Sequence, residues 1–141
     1  MKDGFDVAAD IISLINIPEI TGLIDGKIYA DVRPSKSNKI DIVVKSLGIT
    51  NAWNQAGSGT VNVYVPALSE TQPDGSVQLL PDQDTLSSLC KAITPYLDTQ
   101  YKPSFNTQVT AAGNLVQDTD GSWFVSITFS YYSIQTNFKN L

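Results

Sequence analysis

GSGTVNVYVPAL, residues 57–68, is the stretch on which the fold turns. Val61, Val63 and Val65 alternate with Asn62 and Tyr64, so one side of the extended chain is β-branched and apolar while the other is polar or aromatic. A period of two of this kind belongs to a strand with one face against a core. Such a strand needs neighbours, and the chain offers them on both sides. Downstream, WFVSITFSYY (123–132) places Trp123, Val125, Ile127, Phe129 and Tyr131 on one face, and Phe124 and Tyr132 among Ser126, Thr128 and Ser130 on the other. A strand from Thr107 through Val116 and the turn sequence DTDG at 118–121 precede it, so the last third reads as a two-strand hairpin, its final strand running on to Asn137.

Upstream, Ile28, Ala30 and Val32 alternate with Tyr29 and Asp31, after turn signals at Thr21-Gly22 and Asp25-Gly26. Ile40, Ile42 and Val44 alternate in the next run. Between them lies RPSKSNK (33–39), whose proline, serines and asparagine predict a hairpin with a long loop. The Gly-rich stretch Gln55-Ala56-Gly57-Ser58-Gly59-Thr60 lacks the lysine of a phosphate-binding loop and precedes a strand instead of a helix, and it reads as a flexible turn.

Two segments carry the helical period. In the first, Phe5, Val7, Ala8, Ile11, Ile12, Leu14 and Ile15 recur at spacings of three and four, with Asp3 or Asp6 placed to cap the first turn, and Pro18 predicts an end near Asn16. In the second, starting at Asp82 or Asp84, the stripe is Leu86, Leu89, Cys90, Ile93, Leu97 and Tyr101, with a kink or early end expected at Pro95. Residues 69–84, SETQPDGSVQLLPDQD, are rich in turn formers and predict an exposed crossover or arm bent most tightly at Pro73-Asp74-Gly75. The sum is an α+β fold: a mostly antiparallel β-sheet with two helices packed on one face, in a single domain spanning 1–141, with a projecting loop at 33–39 and an arm at 69–84. A β-barrel or sandwich decorated by helices is the main alternative.

Composition narrows function. The chain has 141 residues, a net charge of −5 and only 16% charged residues, so much of its surface is hydroxyl and amide. Five of its nine basic residues, Lys27, Arg33, Lys36, Lys39 and Lys45, fall between positions 27 and 45. An acidic body with one basic loop favours docking onto an acidic protein surface over general affinity for nucleic acid. No run reaches the length of a membrane span, and Asp3, Asp6 and Asp10 interrupt the apolar start in a way foreign to a signal peptide.

There is no histidine, which removes the commonest general base and metal ligand. Ser-Lys pairs remain, from Ser35, Lys36, Ser37 and Lys39 or from Ser87, Ser88 and Lys91, but both are generic and lysine needs burial to act as a base. Asp118-Thr119-Asp120-Gly121 lacks the closing glutamate of a calcium loop, Asp82 and Asp84 read as helix caps, and the lone Cys90 lies on an apolar stripe as a structural thiol. Trp53, Trp123, Tyr131 and Tyr132 suit core or subunit contacts better than a base-stacking platform. No residue is assigned to catalysis, a cofactor or a metal.

The order of a short N-terminal helix, a "GKIYADVRP" strand (26–34), a "DIVV" strand (41–44), a "TVNVYVP" strand (60–66), a long helix and a final hairpin resembles the tail-completion or tail-terminator (head-tail joining) proteins of tailed bacteriophages. The resemblance covers most of the chain in element order and is sharpest at Lys27–Pro34; the arm at 69–84 is longer than that pattern leads one to expect. It implies a non-enzymatic structural subunit of the virion neck, present in the host cytoplasm during assembly. Copies would form a six- or twelve-fold homo-oligomeric ring between the portal or adaptor and the tail, with DNA passing through without specific binding. Arg33, Lys36, Lys39, Trp53 and Asp74 are then the candidate contact residues, the three basic ones facing carboxylates of a neighbour. The competing expectation is a small module binding carbohydrate or protein, with Trp53, Tyr64 and the polar loop lining a shallow site.

Overall fold

The computed structural model describes residues 1–35 and 37–134, and the chain is an α+β protein. In order the elements are α1 (Gly4–Ile15), the short α2 (Pro18–Thr21), β1 (Ile28–Ala30), β2 (Asp41–Ile49), β3 (Asn54–Val65), β4 (Leu68–Thr71), β5 (Val77–Leu80), α3 (Gln83–Leu97), β6 (Gln100–Tyr101), β7 (Asn106–Gln117) and β8 (Trp123–Ile134). Six strands make one sheet in the order β1-β2-β3-β8-β7-β6, and β4 and β5 form a separate two-stranded ribbon. The extension of the last strand to Asn137 lies outside the described residues.

Alternation in β3 decides the core. Val61, Val63 and Val65 join Ile42 and Val44 of β2 and Val125, Ile127, Phe129 and Tyr131 of β8 on the face that α1 and α3 cover. From α1 come Val7, Ala8, Ile11, Leu14 and Ile15, and from α3 Leu86, Leu89, Cys90, Ile93 and Leu97, all buried. Each large side chain buried this way contributes about 1.5–3 kcal/mol before entropy is charged against it. Asp3 is the cap of α1, closing a capping box with Asp6, and Asp82 caps α3 through the Thr85 amide. Two stripe residues fall away from the core: Phe5 is exposed at the first turn of α1, and Tyr101 is exposed in β6, beyond the helix.

Several expectations are corrected. The strands flanking the basic loop are adjacent but parallel, with Ile28, Tyr29 and Ala30 beside Ile42, Val43 and Val44, so they form no hairpin. Asp31 takes a left-handed conformation (φ 65°) that turns the chain off β1, and the loop then runs back to the strand's starting end. There the Gly26 amide donates to the Ile40 carbonyl at 3.0 Å and the Ile40 amide to Asp25 at 2.7 Å, tying the return in place. Alternation specifies which side of a strand is buried but carries no direction. Residues 69–84 likewise contain strands, β4 and β5, on either side of the bend at 72–76. Helix α3 also runs through Pro95 to Leu97; the missing donor falls in the last turn, where Thr94 Oγ1 donates to the Cys90 carbonyl at 2.7 Å.

The Gly-rich stretch 55–60 is sheet and no flexible turn. Gly57 and Gly59 sit on the core face of β3, opposite Tyr131 and Phe129 of β8. A Cβ at Gly59 would stand 2.6 Å from Phe129 Cζ and 2.2 Å from the Lys45 carbonyl oxygen. Gly59 leaves the space that the Phe129 ring fills, and Gly57 allows the close approach of the Gly48 carbonyl and Ile49 of β2. Substituting Gly59→Ala is therefore expected to lower stability by about 1–3 kcal/mol, the usual cost of overpacking a close-packed core; urea unfolding of the variant against the parent measures it.

Candidate functional site

The basic loop was expected to project, and its arginine does the opposite. Arg33 folds back over the outer face of the sheet, where its guanidinium carbon lies 3.9 Å from the centre of the Tyr64 ring. Nη1 is 3.5 Å from Asp41 Oδ2 and Nη2 donates to Ser122 Oγ at 3.1 Å. Asp41 also accepts from Ser37 Oγ at 2.5 Å and from the Lys27 amide at 3.1 Å. With side chains only 11% and 1% exposed, Arg33 and Asp41 form a largely buried pair that pins the loop to its own sheet. Arg33 is thus corrected as a docking cation: its carboxylate is Asp41 of the same chain. Lys39 is exposed, and Lys36 lies outside the described residues.

Tyr64 completes the cluster, packing against Phe124 at 4.7 Å between centroids and donating to Asp118 at 3.2 Å. Burial, reinforced by the Asp118 carboxylate, pushes its phenol up to about 12. The DTDG segment is a hairpin turn, with the Gly121 amide donating to the Asp118 carbonyl at 3.0 Å, and the Ser122 hydroxyl and amide hold Asp120 below the usual carboxylate range.

At the opposite end, Lys2 Nζ reaches Asp10 at 2.7 Å, the Tyr131 hydroxyl at 2.9 Å and Ser104 Oγ at 3.1 Å, while the Tyr131 hydroxyl donates to Asp10. The buried Gln55 amide closes this latch, donating to the carbonyls of Lys2 and Thr50 at 2.8 and 3.0 Å. Burial, then the bond to Asp10, raises the Tyr131 pKa. These contacts tie the N-terminus to the sheet and expose no reactive group.

The remaining sequence candidates lie apart. Trp53 is exposed just before β3, and Tyr64 is buried at that strand's far end. Eleven positions of extended chain separate them by roughly 35 Å, so they do not line one site. Asp74 is exposed at the tip of the β4–β5 ribbon, where Ser76 Oγ at 2.6 Å and the Ser76 amide at 2.9 Å lower its pKa. Ser37 is committed to Asp41, and Ser87, Ser88 and Lys91 are all on the exposed side of α3. No group of three or more potential metal ligands occurs among the described residues.

Two features were not legible beforehand. The β4–β5 ribbon carries Leu68, Val77 and Leu79 at 53%, 62% and 44% exposure. An apolar groove of about 500 Å³ runs between α3 and β7, lined by Leu86, Cys90, Ala112, Leu115 and Val125, with Lys91 at its rim. The alternation Val77-Gln78-Leu79 was the available signal for the first; the second depends on two distant segments meeting. No protein-family model matches this chain, and no curated protein matches it either.

Two outcomes are expected from the arginine cluster. Arg33→Ala leaves Asp41 buried beside one hydroxyl and one amide, and the loss of a buried partner should cost about 3 kcal/mol by chemical denaturation; Arg33→Lys should recover only part, since an ammonium cannot stack on Tyr64 while bridging two acceptors. Tyr64 is neutral in the fold. Its phenol ionises near 10.0 when unfolded and near 12 when folded, so its contribution is complete below pH 10.0 and disappears as pH rises through 12. Tyr131 acts in the same direction. Tyr64→Phe should therefore flatten, without abolishing, the alkaline fall of the unfolding midpoint.

Proposed function

We propose that this chain is a structural virion protein of a tailed bacteriophage, a subunit of a ring at the head-tail connection between the portal or adaptor and the tail. The observation that carries the reading is the β4–β5 ribbon, a projecting element whose apolar side chains face solvent in a single copy. A two-stranded ribbon is marginal on its own and gains stability when something covers it. The helices cover one face of the sheet only, which leaves the ribbon, Lys39 and the outer edge of β7 as surfaces for neighbours. The element order behind the resemblance also supports it: α1, the KIYADVRP segment around β1, β2, β3, α3 and the final β7–β8 hairpin follow one another in that sequence.

In this role the polypeptide works by rigidity and fit. The Arg33-Asp41 pair and the Lys2 latch hold loop and terminus against the sheet, so little conformational entropy is lost when neighbours dock. A net charge of −5 lets DNA traverse the ring's channel without adhering to its wall.

Native mass spectrometry across a concentration series, alone and with an assembled portal ring, tests this. Closed assemblies at one preferred multiple, six or twelve, or retention on the portal are the expected results. A protein that stays monomeric at every concentration and ignores the portal would sink the reading.

A further inference from the structure

The ribbon and the groove have complementary chemistry, and among the described residues of one copy nothing fills either. Along the ribbon, Val77 and Leu79 lie opposite Thr71 and Ser69, which gives one face of apolar and hydroxyl groups. Its only charged residues between Leu68 and Leu80 are Glu70 and Asp74, both acidic. The groove is lined mainly by apolar groups, with Gln83, Ser87 and Thr94 along α3, and its single charged lining residue is Lys91. Four extended residues span about 13 Å, and Ala112 and Gly113 leave a shallow floor beside α3 that larger residues would fill.

The groove borders an open sheet edge. β6 pairs with β7 only at Asn106 and Thr107, so among the described residues no strand flanks Gln108–Gln117 on that side. The whole of β7, NTQVTAAGNLVQ, has no charged residue and no proline, the usual devices that stop an edge from pairing. Register shifts at Val109/Ala111 and Ala112/Asn114 break the ladder, so regular strand addition is confined to the stretch after Asn114. Short backbone pairing beside an apolar insertion is the contact this edge can make.

Within the chain the ribbon stays clear of the groove. The Leu79 carbonyl accepts from Trp123 Nε1 at 3.3 Å, and Leu79 Cδ1 stands close to Gly121, so the ribbon's base rests at the β7–β8 turn. We propose that the β4–β5 ribbon of one copy seats in the α3–β7 groove of a second copy, Val77 and Leu79 entering between Leu86 and Leu115 while the acidic ribbon as a whole approaches the Lys91 rim. The contact deepens the ring reading and rests on it. It joins two different surfaces of identical chains, a head-to-tail geometry that closes into a ring when the rotation permits.

The groove holds the chain's one thiol, Cys90, which makes a reporter. In Val77→Cys, the introduced thiol and Cys90 of a neighbour should be joined by a short bismaleimide, producing a ladder of covalent multimers on denaturing gels that Cys90→Ser abolishes. The double variant Val77→Asp/Leu79→Asp changes two exposed positions and should stay folded by circular dichroism, with at most a small drop in melting temperature from the Leu79 contact beside Gly121, while needing at least tenfold more protein to assemble. Mixed one to one with Leu115→Asp, whose groove is spoiled but whose ribbon is intact, it should give dimers and nothing larger.

Assemblies that survive the double variant without a 77–90 cross-link would overturn this contact and leave the ring standing. Cross-linking only inside single chains would overturn it too, making the ribbon a strap over its own groove. Absence of any assembly by the parent protein, free or on the portal, would remove both.

Discussion

The pairing of β3 with β8 is the constraint on which the rest of the structure depends. These strands match residue for residue from Asn54 opposite Ile134 to Val65 opposite Trp123, without a register shift. Because side chains alternate, that register decides at once that Val61, Val63, Ile127 and Phe129 share the face under the helices and that Asn62, Tyr64, Ser126 and Phe124 share the other. A slip of one residue would exchange the faces. It would also bring Phe129 off Gly59, which makes room for its ring, so steric fit and hydrophobic pattern select the same alignment.

The outer face shows how a sheet covered by helices on one side treats the other. Asp41, Val43, Asn62 and Tyr64 are buried there although no helix lies over them. The cover at the Tyr64 end is the loop after β1, drawn down by Arg33, which pairs with Asp41 and stacks on Tyr64 together. A segment that composition marks as a mobile charged loop is held by a stacked, largely buried ion pair, and a charge that seemed available to a partner is consumed within the chain. What stays exposed and free of charge is the apolar side of the β4–β5 ribbon and the edge of β7, surfaces where any contact would gain from apolar burial more than from charge.

Much of the architecture was legible in local pattern. The two long helices, their acidic caps narrowed to Asp3 or Asp6 and to Asp82 or Asp84, the valine face of β3, the alternation of β8 and the Asp118–Gly121 turn all follow from spacing of three to four or of two and from turn chemistry; the fold selects Asp3 and Asp82. The failures share a cause. Gly57 and Gly59 read as a turn because glycine is a local breaker, and only the β2 backbone packed against Gly57 and the Phe129 ring, some seventy positions from Gly59, explain them as sheet. Val77 and Leu79 were hidden among turn formers. The site residues fared unevenly for the same reason: Lys39 and Asp74 are exposed as a polar loop and a Pro-Asp-Gly bend imply, but Arg33 is not, since nothing near it in sequence announces that its carboxylate will be the one at the start of β2.

The sequence by itself determined the class of fold and the buried side of each long strand and helix, because periodicity is a local property that hydrophobic burial reads directly. Tertiary structure alone decided that β1 runs parallel to β2, that Arg33 turns inward, and that α3 and β7 leave an apolar groove between them. Each of those depends on which distant residues meet, and strand direction, ion-pair choice and cavity shape are set by packing geometry that no single stretch of chain encodes.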